Sequence, residues 1–336
     1  MKKSIISLIV ILFIISVISG ILAIVFEDNP EYDGSSETTL DIPQNTSSDV
    51  PQSSPTPNTE SNETQEMLPF DDELVNSLTA SQIFVYSITD EAFLYEKGTD
   101  KQILPASITK LLTALYALEV MPSDTILTPK DELSLVGEGS SIAYITLAHK
   151  LTLEMLIEGM LLPSGNDAAY VVAAGVGRYL SGNANMSGKD AVSLFMKKLN
   201  QYAKSIGCQG THFQVPDGLI YEGHYTTARD LVIISKKAIS NKIISKYAKT
   251  VSDKVIYASG HVNTWYNTNP LINPESEFFR KTVTGLKTGS LNNAYSLLVT
   301  AKIHGNDYII GIFSAPNKTS RFLDAVSIID FLEINF

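Results

Sequence analysis

Apolar strand patterns stand near both ends of the foldable part of this chain, with helical patterns between them, and this placement constrains the architecture most. Ile83 to Ile88 (IFVYSI) and Phe93 to Glu96 read as strands around a short Thr-Asp-Glu turn. Far downstream, SLLVTAKIHG (296–305) and DYIIGIFSA (307–315) read as a hairpin around Gly305-Asn306. Between them TLEMLIEGMLL (152–162) has a helical apolar pattern stopped by Pro163. Asp167 to Leu180 reads as an apolar helix, and Ala191 to Ile206 as an amphipathic one with Lys197, Lys198 and Lys204 on its wet side. A further helix begins over Thr227 to Ile239, and Arg321 to Leu332 closes the chain as a helix. The reading is an α+β layer in which the terminal strands share one sheet.

The first quarter of the chain is of a different kind. Lys2 and Lys3 precede 22 uncharged, mostly apolar residues, Ile5 to Phe26, and then come Glu27 and Asp28. A cleaved signal usually has an apolar core of ~7–15 residues, whereas a bilayer span needs ~20. Residues 1–28 therefore read as an uncleaved signal anchor, with the rest of the chain outside the cell; a long cleaved signal that releases a secreted protein is the alternative. Residues 29–70 follow, rich in Ser, Thr, Pro, Asn and acids, and read as a solvated tether that cannot bury enough to fold. The folded domain is expected over 71–336, with no further domain after it.

Charge follows the same division. Between Lys3 and Lys97 there is no Lys or Arg against sixteen Asp and Glu, while residues 97–336 carry 23 basic and 20 acidic residues. A nearly neutral domain offers no basic stripe, so no nucleic-acid partner is expected. The single cysteine, Cys208, allows no internal disulfide in an exported chain and reads as a buried small hydrophobe. The five histidines (His149, His212, His224, His261, His304) show no ligand spacing, so neither a metal nor another cofactor is expected. His212 and His224 read as structural loop residues.

Three polar sites interrupt the apolar patterns: Ser107-Ile-Thr-Lys110, Ser164-Gly165-Asn166 and Lys287-Thr288-Gly289. Singly they are ordinary. A serine at a helix start is commonly a cap, a Ser-Gly-Asn is commonly a turn, and Ser181-Gly182-Asn183 repeats that tripeptide elsewhere. Lys110 is nevertheless misplaced by local rules, since a first helical turn favours acids. A serine needs a neighbouring base to become a nucleophile, and a lysine one turn away is such a base if burial or positive potential lowers its pKa. The helix N-terminus and Lys287 are both expected to act in that direction.

The order Ser-x-x-Lys, Ser-x-Asn, Lys-Thr-Gly resembles the penicillin-binding protein and serine β-lactamase superfamily. The stretches 104–119, 138–169, 208–219 (CQGTHFQVPDGL), 223–231 (GHYTTARDL), 267–269 (NTN) and 285–290 (GLKTGS) look like the low-molecular-mass, DacA-like D-alanyl-D-alanine carboxypeptidases, from about Ser81 onward. The resemblance implies a β-lactamase/transpeptidase-like fold, an antiparallel sheet flanked by helices with a mostly helical subdomain. It implies Ser107 as nucleophile, Lys110 as base and Ser164 as proton relay. It further implies Asn166, Lys287, Thr288, Gly289 and Ser290 as substrate-binding groups, with an oxyanion hole from the N–H groups of Ser107 and Ser290. The expected substrate is the D-Ala-D-Ala terminus of a peptidoglycan stem peptide, β-lactams being inhibitors. Where many members follow Lys-Thr-Gly with His or Tyr and a Gly-containing turn, this chain has Ser290-Leu291-Asn292-Asn293-Ala294-Tyr295. A β-lactamase is disfavoured, because no Glu-x-x-Leu-Asn lies between Asn166 and Lys287. A non-catalytic wall-binding receptor and a D,D-endopeptidase are the remaining alternatives on the same fold.

Overall fold

The computed structural model describes residues 70–336 except 220, 221, 292 and 293. The anchor and tether expected over 1–28 and 29–70 lie outside the described residues, apart from Phe70. That residue belongs to the folded part: it is buried, with its ring 5.2 Å from that of Tyr95 and 4.9 Å from that of Phe331.

Helix α1 (Asp72–Ser77), capped by Asp71, leads into β1 (Gln82–Ser87) and β2 (Ala92–Lys97). Helix α2 (Thr109–Val120) follows, then the short pair β3 (Ile126–Leu127) and β4 (Leu151–Thr152). The helical part continues through α3 (Leu153–Leu161), α4 (Asn166–Ser181), α5 (Gly188–Ser205), α6 (Ala228–Ser240) and α7 (Lys242–Ala248). A hairpin of β5 (Ser252–Ile256) and β6 (Val262–Tyr266) precedes the meander β7 (Val283–Leu291), β8 (Ala294–Ile303) and β9 (Asn306–Ala315), and α8 (Ser320–Asn335) closes the domain.

The principal sheet runs β2-β1-β9-β8-β7, antiparallel throughout, so strands from the two ends of the domain do share one sheet. Side chains alternate across a strand, and each face of this sheet has its own core. Phe84, Leu298 and Ile309 point to the helical side, where they meet α2 and the helices around it. Ile83, Val85, Val299 and Ile310 point the other way and pack under α1 and α8. Gly311 lies under the Phe84 ring, where a Cβ would stand 2.2 Å from Cε1.

One expectation of local structure is corrected. The late hairpin turns on His304-Gly305, both at positive φ, and Asn306 pairs with Ile303 as the first residue of β9. A two-residue turn with both residues at positive φ matches the twist of the strands it joins. Lys287-Thr288-Gly289 lies inside β7, the strand that precedes this hairpin. The hairpin β5–β6 carried no expectation, because most of its residues are exposed and only Val255 and Trp265 face inward. Trp265 makes that hairpin a brace: its Nε1 donates to Ala143 O at 3.0 Å, and its ring packs on Gly159, where a Cβ would lie 3.2 Å from Cη2. Repetition of Ser-Gly-Asn at 181–183 is a helix end, Gly182 closing α4 at φ 66°.

Glu158 on α3 is buried beside Asp253 of β5, and its Oε1 has no partner among the described residues. Burial and the nearby Asp253 carboxylate push its pKa from 4.5 up to about 8. A carboxyl protonated in the folded state and ionised in the unfolded state supports the fold at low pH. That support fades as pH rises from 4.5 through about 8. Glu158→Gln keeps the neutral shape, so the fall in Tm between acidic and alkaline buffer should shrink by about 4 °C or more, as scanning calorimetry at both pH values would read. An unchanged fall would show that Glu158 does not titrate across that window.

Candidate active site

A 3₁₀ turn, Ala106–Ile108, carries Ser107 into α2, and this helix has no side-chain cap and no acid in its first turn. Ser107 is therefore not a capping residue. Lys110, one turn on, is 0% exposed. Its Nζ donates to Ser107 Oγ at 2.9 Å, Asn166 Oδ1 at 2.8 Å and the Asp217 carbonyl at 2.9 Å. Burial lowers its pKa from 10.5 to about 8, opposed by Asp217 and then Asp167. The depression therefore comes from desolvation. Lys287 is itself lowered well below the ordinary range, by burial, then by Lys110 and by Arg321, and the repulsion between the two lysines is mutual.

Ser164 stands in the loop between α3 and α4 at φ 61°, a strained setting for a residue with a side chain. Its Oγ accepts from Lys287 Nζ at 2.9 Å. Asn166 opens α4, and its N–H donates to Ser141 O at 2.8 Å. Asp167 beside it fixes the flanking loop, accepting from the N–H groups of Ala143 and Ile145 at 2.8 Å each and from Ala168. Because Ala143 also accepts from Trp265, the β5–β6 brace reaches the Ser164–Asn166 loop through two residues.

Strand β7 lies at the edge of the sheet, so it has no strand partner on the side away from β8. Lys287 is buried, with Nζ also donating to Thr288 O at 3.1 Å, and Thr288 Oγ1 lies 2.5 Å from Thr268 Oγ1. At Gly289 a Cβ would come within 2.9 Å of Ala106 Cβ and 3.0 Å of Pro105 O, so only glycine lets β7 approach the Ser107 turn this closely. Ser290 is exposed at the end of this row. The structure thus brings Ser107, Lys110, Ser164, Asn166, Lys287 and Thr288 into two linked serine–lysine pairs, with Gly289 and Ser290 alongside.

Four supporting residues carried no expectation from the sequence. Arg321, in the first turn of α8, donates from Nη1 to Gly289 O at 2.5 Å, Ser296 O at 3.0 Å and Ser290 Oγ at 3.2 Å. Burial lowers its pKa to about 10. Thr268, Asp167 and Asp217 are the others, and of these only Thr268 and Asp217 lay in stretches that carried the resemblance but no motif. His224 is structural, as expected. Its Nδ1 accepts from Gln214 N at 3.1 Å, which places the proton of the neutral ring on Nε2, 2.9 Å from Thr109 Oγ1. Burial holds it neutral by lowering its pKa to about 4. Cys208 is buried with its thiol pushed up to about 12, an unreactive group.

The loop from Phe213 to Leu219 is docked on the Ser107 turn through backbone. Thr113 Oγ1 donates to Pro216 O at 2.8 Å, and Gly218, at φ +82°, faces Ala106 O, from which a Cβ would stand 1.8 Å. Gly218→Ala should cost about 2–3 kcal/mol in chemical denaturation, from overpacking and a left-handed backbone together. The Lys110–Ser107 contact should loosen with it, since the Asp217 carbonyl holding Lys110 would move. Wild-type stability would count against this packing.

Comparison with known proteins agrees with this geometry. The sequence profile of the D-alanyl-D-alanine carboxypeptidase family matches residues 71–317. The chain is 30% identical over 245 residues to the Bacillus subtilis D-alanyl-D-alanine carboxypeptidase DacF, covering 71% of this chain and 58% of that one. It is 31% identical over 248 residues to a Streptomyces D-alanyl-D-alanine carboxypeptidase, covering 71% of this chain and 81% of the relative. Among solved structures, a Streptomyces DD-transpeptidase superimposes with TM-score 0.67 at 28% identity, covering 76% of this chain and 97% of that one. A penicillin-binding protein of Listeria monocytogenes in its ampicillin-bound form does so with TM-score 0.61 at 26% identity, over 76% and 98% of the two chains. Fold, motif order and sequence agree, and the chain belongs to the D-alanyl-D-alanine carboxypeptidase family of serine peptidases.

Proposed function

We propose that this chain removes the terminal D-alanine from peptidoglycan stem peptides through an acyl-enzyme on Ser107, without a metal or cofactor, and that penicillins acylate the same serine. The observation that carries this reading is a wholly buried lysine, Lys110, 2.9 Å from a half-buried serine hydroxyl. Ser107 Oγ attacks the carbonyl carbon of the penultimate D-Ala as its proton passes to Lys110 Nζ. Backbone N–H groups of Ser107 and Ser290 stabilise the oxyanion. The C–N bond then breaks, and the leaving amine receives its proton through Ser164, which Lys287 supports at 2.9 Å. Water attacks the ester by the same route in reverse, freeing Ser107 and the shortened peptide. Asn166, its Oδ1 already engaged by Lys110, offers Nδ2 to a substrate carbonyl. Lys287 and Thr288 meet the terminal carboxylate, Lys287 as a point charge.

The apolar run Ile5 to Phe26 behind Lys2 and Lys3 supports an extracytoplasmic site on a single membrane anchor, with residues 29–70 setting the reach into the wall. No helix among the described residues is long and apolar enough to cross a membrane. The test is to incubate the purified chain with a stem pentapeptide, alone and with an amine acceptor, and to measure free D-alanine and product masses. Release of D-alanine with a shortened, uncrosslinked peptide supports the proposal. A long-lived penicillin adduct without release indicates a receptor, and cleavage confined to crosslinked peptides an endopeptidase.

A further inference from the structure

Asp217 lies in the loop between α5 and α6 and is 1% exposed. Its carbonyl accepts from Lys110 Nζ, but the reaction described above gives its carboxylate no role. Oδ1 accepts a single bond of 3.2 Å from Leu219 N, and Oδ2 has no partner among the described residues. A buried carboxylate so poorly bonded is unfavourable unless a cation offsets it. Asp167, the other carboxylate near Lys110, is a contrast, because three backbone N–H groups share its charge. Asp217 retains an unshared negative charge on the residue that touches the base.

The charges around Lys110 come from every side of the site. Asp167 faces it from α4, Lys287 from β7 with Arg321 of α8 behind, and Asp217 from the loop. His224, bonded to Thr109, is held neutral. Lys287 has its pKa lowered by burial, then by Lys110 and Arg321. Of the two carboxylates, Asp217 acts on Lys110 the more strongly.

We propose that Asp217 is an anionic positioning residue: its unpartnered carboxylate oxygen balances the ammonium that Lys110 becomes each time it takes a proton from Ser107 or from the deacylating water. The proton is returned at the end of each half-reaction, to the leaving amine or to Ser107 Oγ. This rests on the function proposed above. It predicts two separate effects of neutralising Asp217. Lys110 loses the main charge that holds its proton, so the base form appears at lower pH. It also becomes a weaker base, so the fully deprotonated enzyme acylates more slowly.

The test follows acylation of the full chain by fluorescent penicillin from about pH 5.5 to 9.5, for wild type, Asp217→Asn and the smaller Asp217→Ser. The rise of rate with pH should move to lower pH by about one unit in both variants, with a plateau at least about threefold lower. A midpoint that stays in place or moves up overturns the proposal, whatever the plateau, since a merely structural loss lowers the rate at all pH values alike. If wild type is not acylated at any pH, the proposed function fails instead. The NMR titration of the Lys110 Cε signal, wild type against Asp217→Asn, then decides the pairing by itself: a lower midpoint in the variant supports it, an equal one removes it.

Discussion

Ser107→Ala should leave a folded protein that takes no covalent penicillin and releases no D-alanine, a loss of at least about a thousand-fold in either assay. The fold should survive because Ser107 has no structural duty to lose. It caps no helix, its Oγ accepts only from Lys110, and alanine suits a helix start of this kind. Gel fluorescence after incubation with a labelled penicillin reads the adduct, and circular dichroism reads the fold. Labelling that persists in a folded Ser107→Ala chain would remove Ser107 as nucleophile and leave Ser164 as the next hydroxyl beside a lysine.

Lys110→Arg should be nearly as severe, with acylation reduced by at least about a hundred-fold. Arginine keeps the charge but not the function, since its guanidinium stays protonated at any working pH. It is also too large for a site that gives Lys110 Nζ three acceptors within 2.9 Å and no exposure. A pH profile of the wild type checks the same assignment. With a pKa of about 8, Lys110 is the free base in about one molecule in ten at pH 7. Acylation should therefore rise as pH rises through about 8 and level off above it. Full acylation by Lys110→Arg, or a wild-type rate flat across that range, would show that another group takes the proton. Lys110→Met separates charge from size: similar inactivity there shows that the amine itself is required.

The elements with strong periodicity were legible in the sequence, and their ends followed local chemistry. The helices after Thr152, Ser187 and Thr227 each begin with that residue's oxygen accepting a backbone N–H, as sequence rules require. The motifs were legible for a different reason. Lys110 violated a local rule at a helix start, and Ser164 sits at a left-handed backbone angle, so function shows where local preference is overruled. Residues whose work is tertiary left no such mark. Trp265 lies in a strand otherwise turned to solvent, and Arg321 opens a helix where a basic residue looks incidental. Asp217 sits in a Pro-Asp-Gly stretch that local rules read as a turn. The source of Lys110's depressed pKa was equally hidden, because burial is a property of all the packed elements together and of no single motif.

The sheet order carries a consequence for the life of the chain before it is complete. Strand β1 pairs with β2 on one side and with β9 on the other, so Gln82 finds its partner Phe313 only when the last strand has been made. Strand β7 is joined to β1 only through β8 and β9. The two serine–lysine pairs need both α2 and β7 in place, and a topology built on such distant pairings forms late and slowly. An unfinished chain that ends before β9 thus carries all three motifs in order without the sheet that brings them together. The two pairs come together only when β9 is in place and the sheet closes around β1.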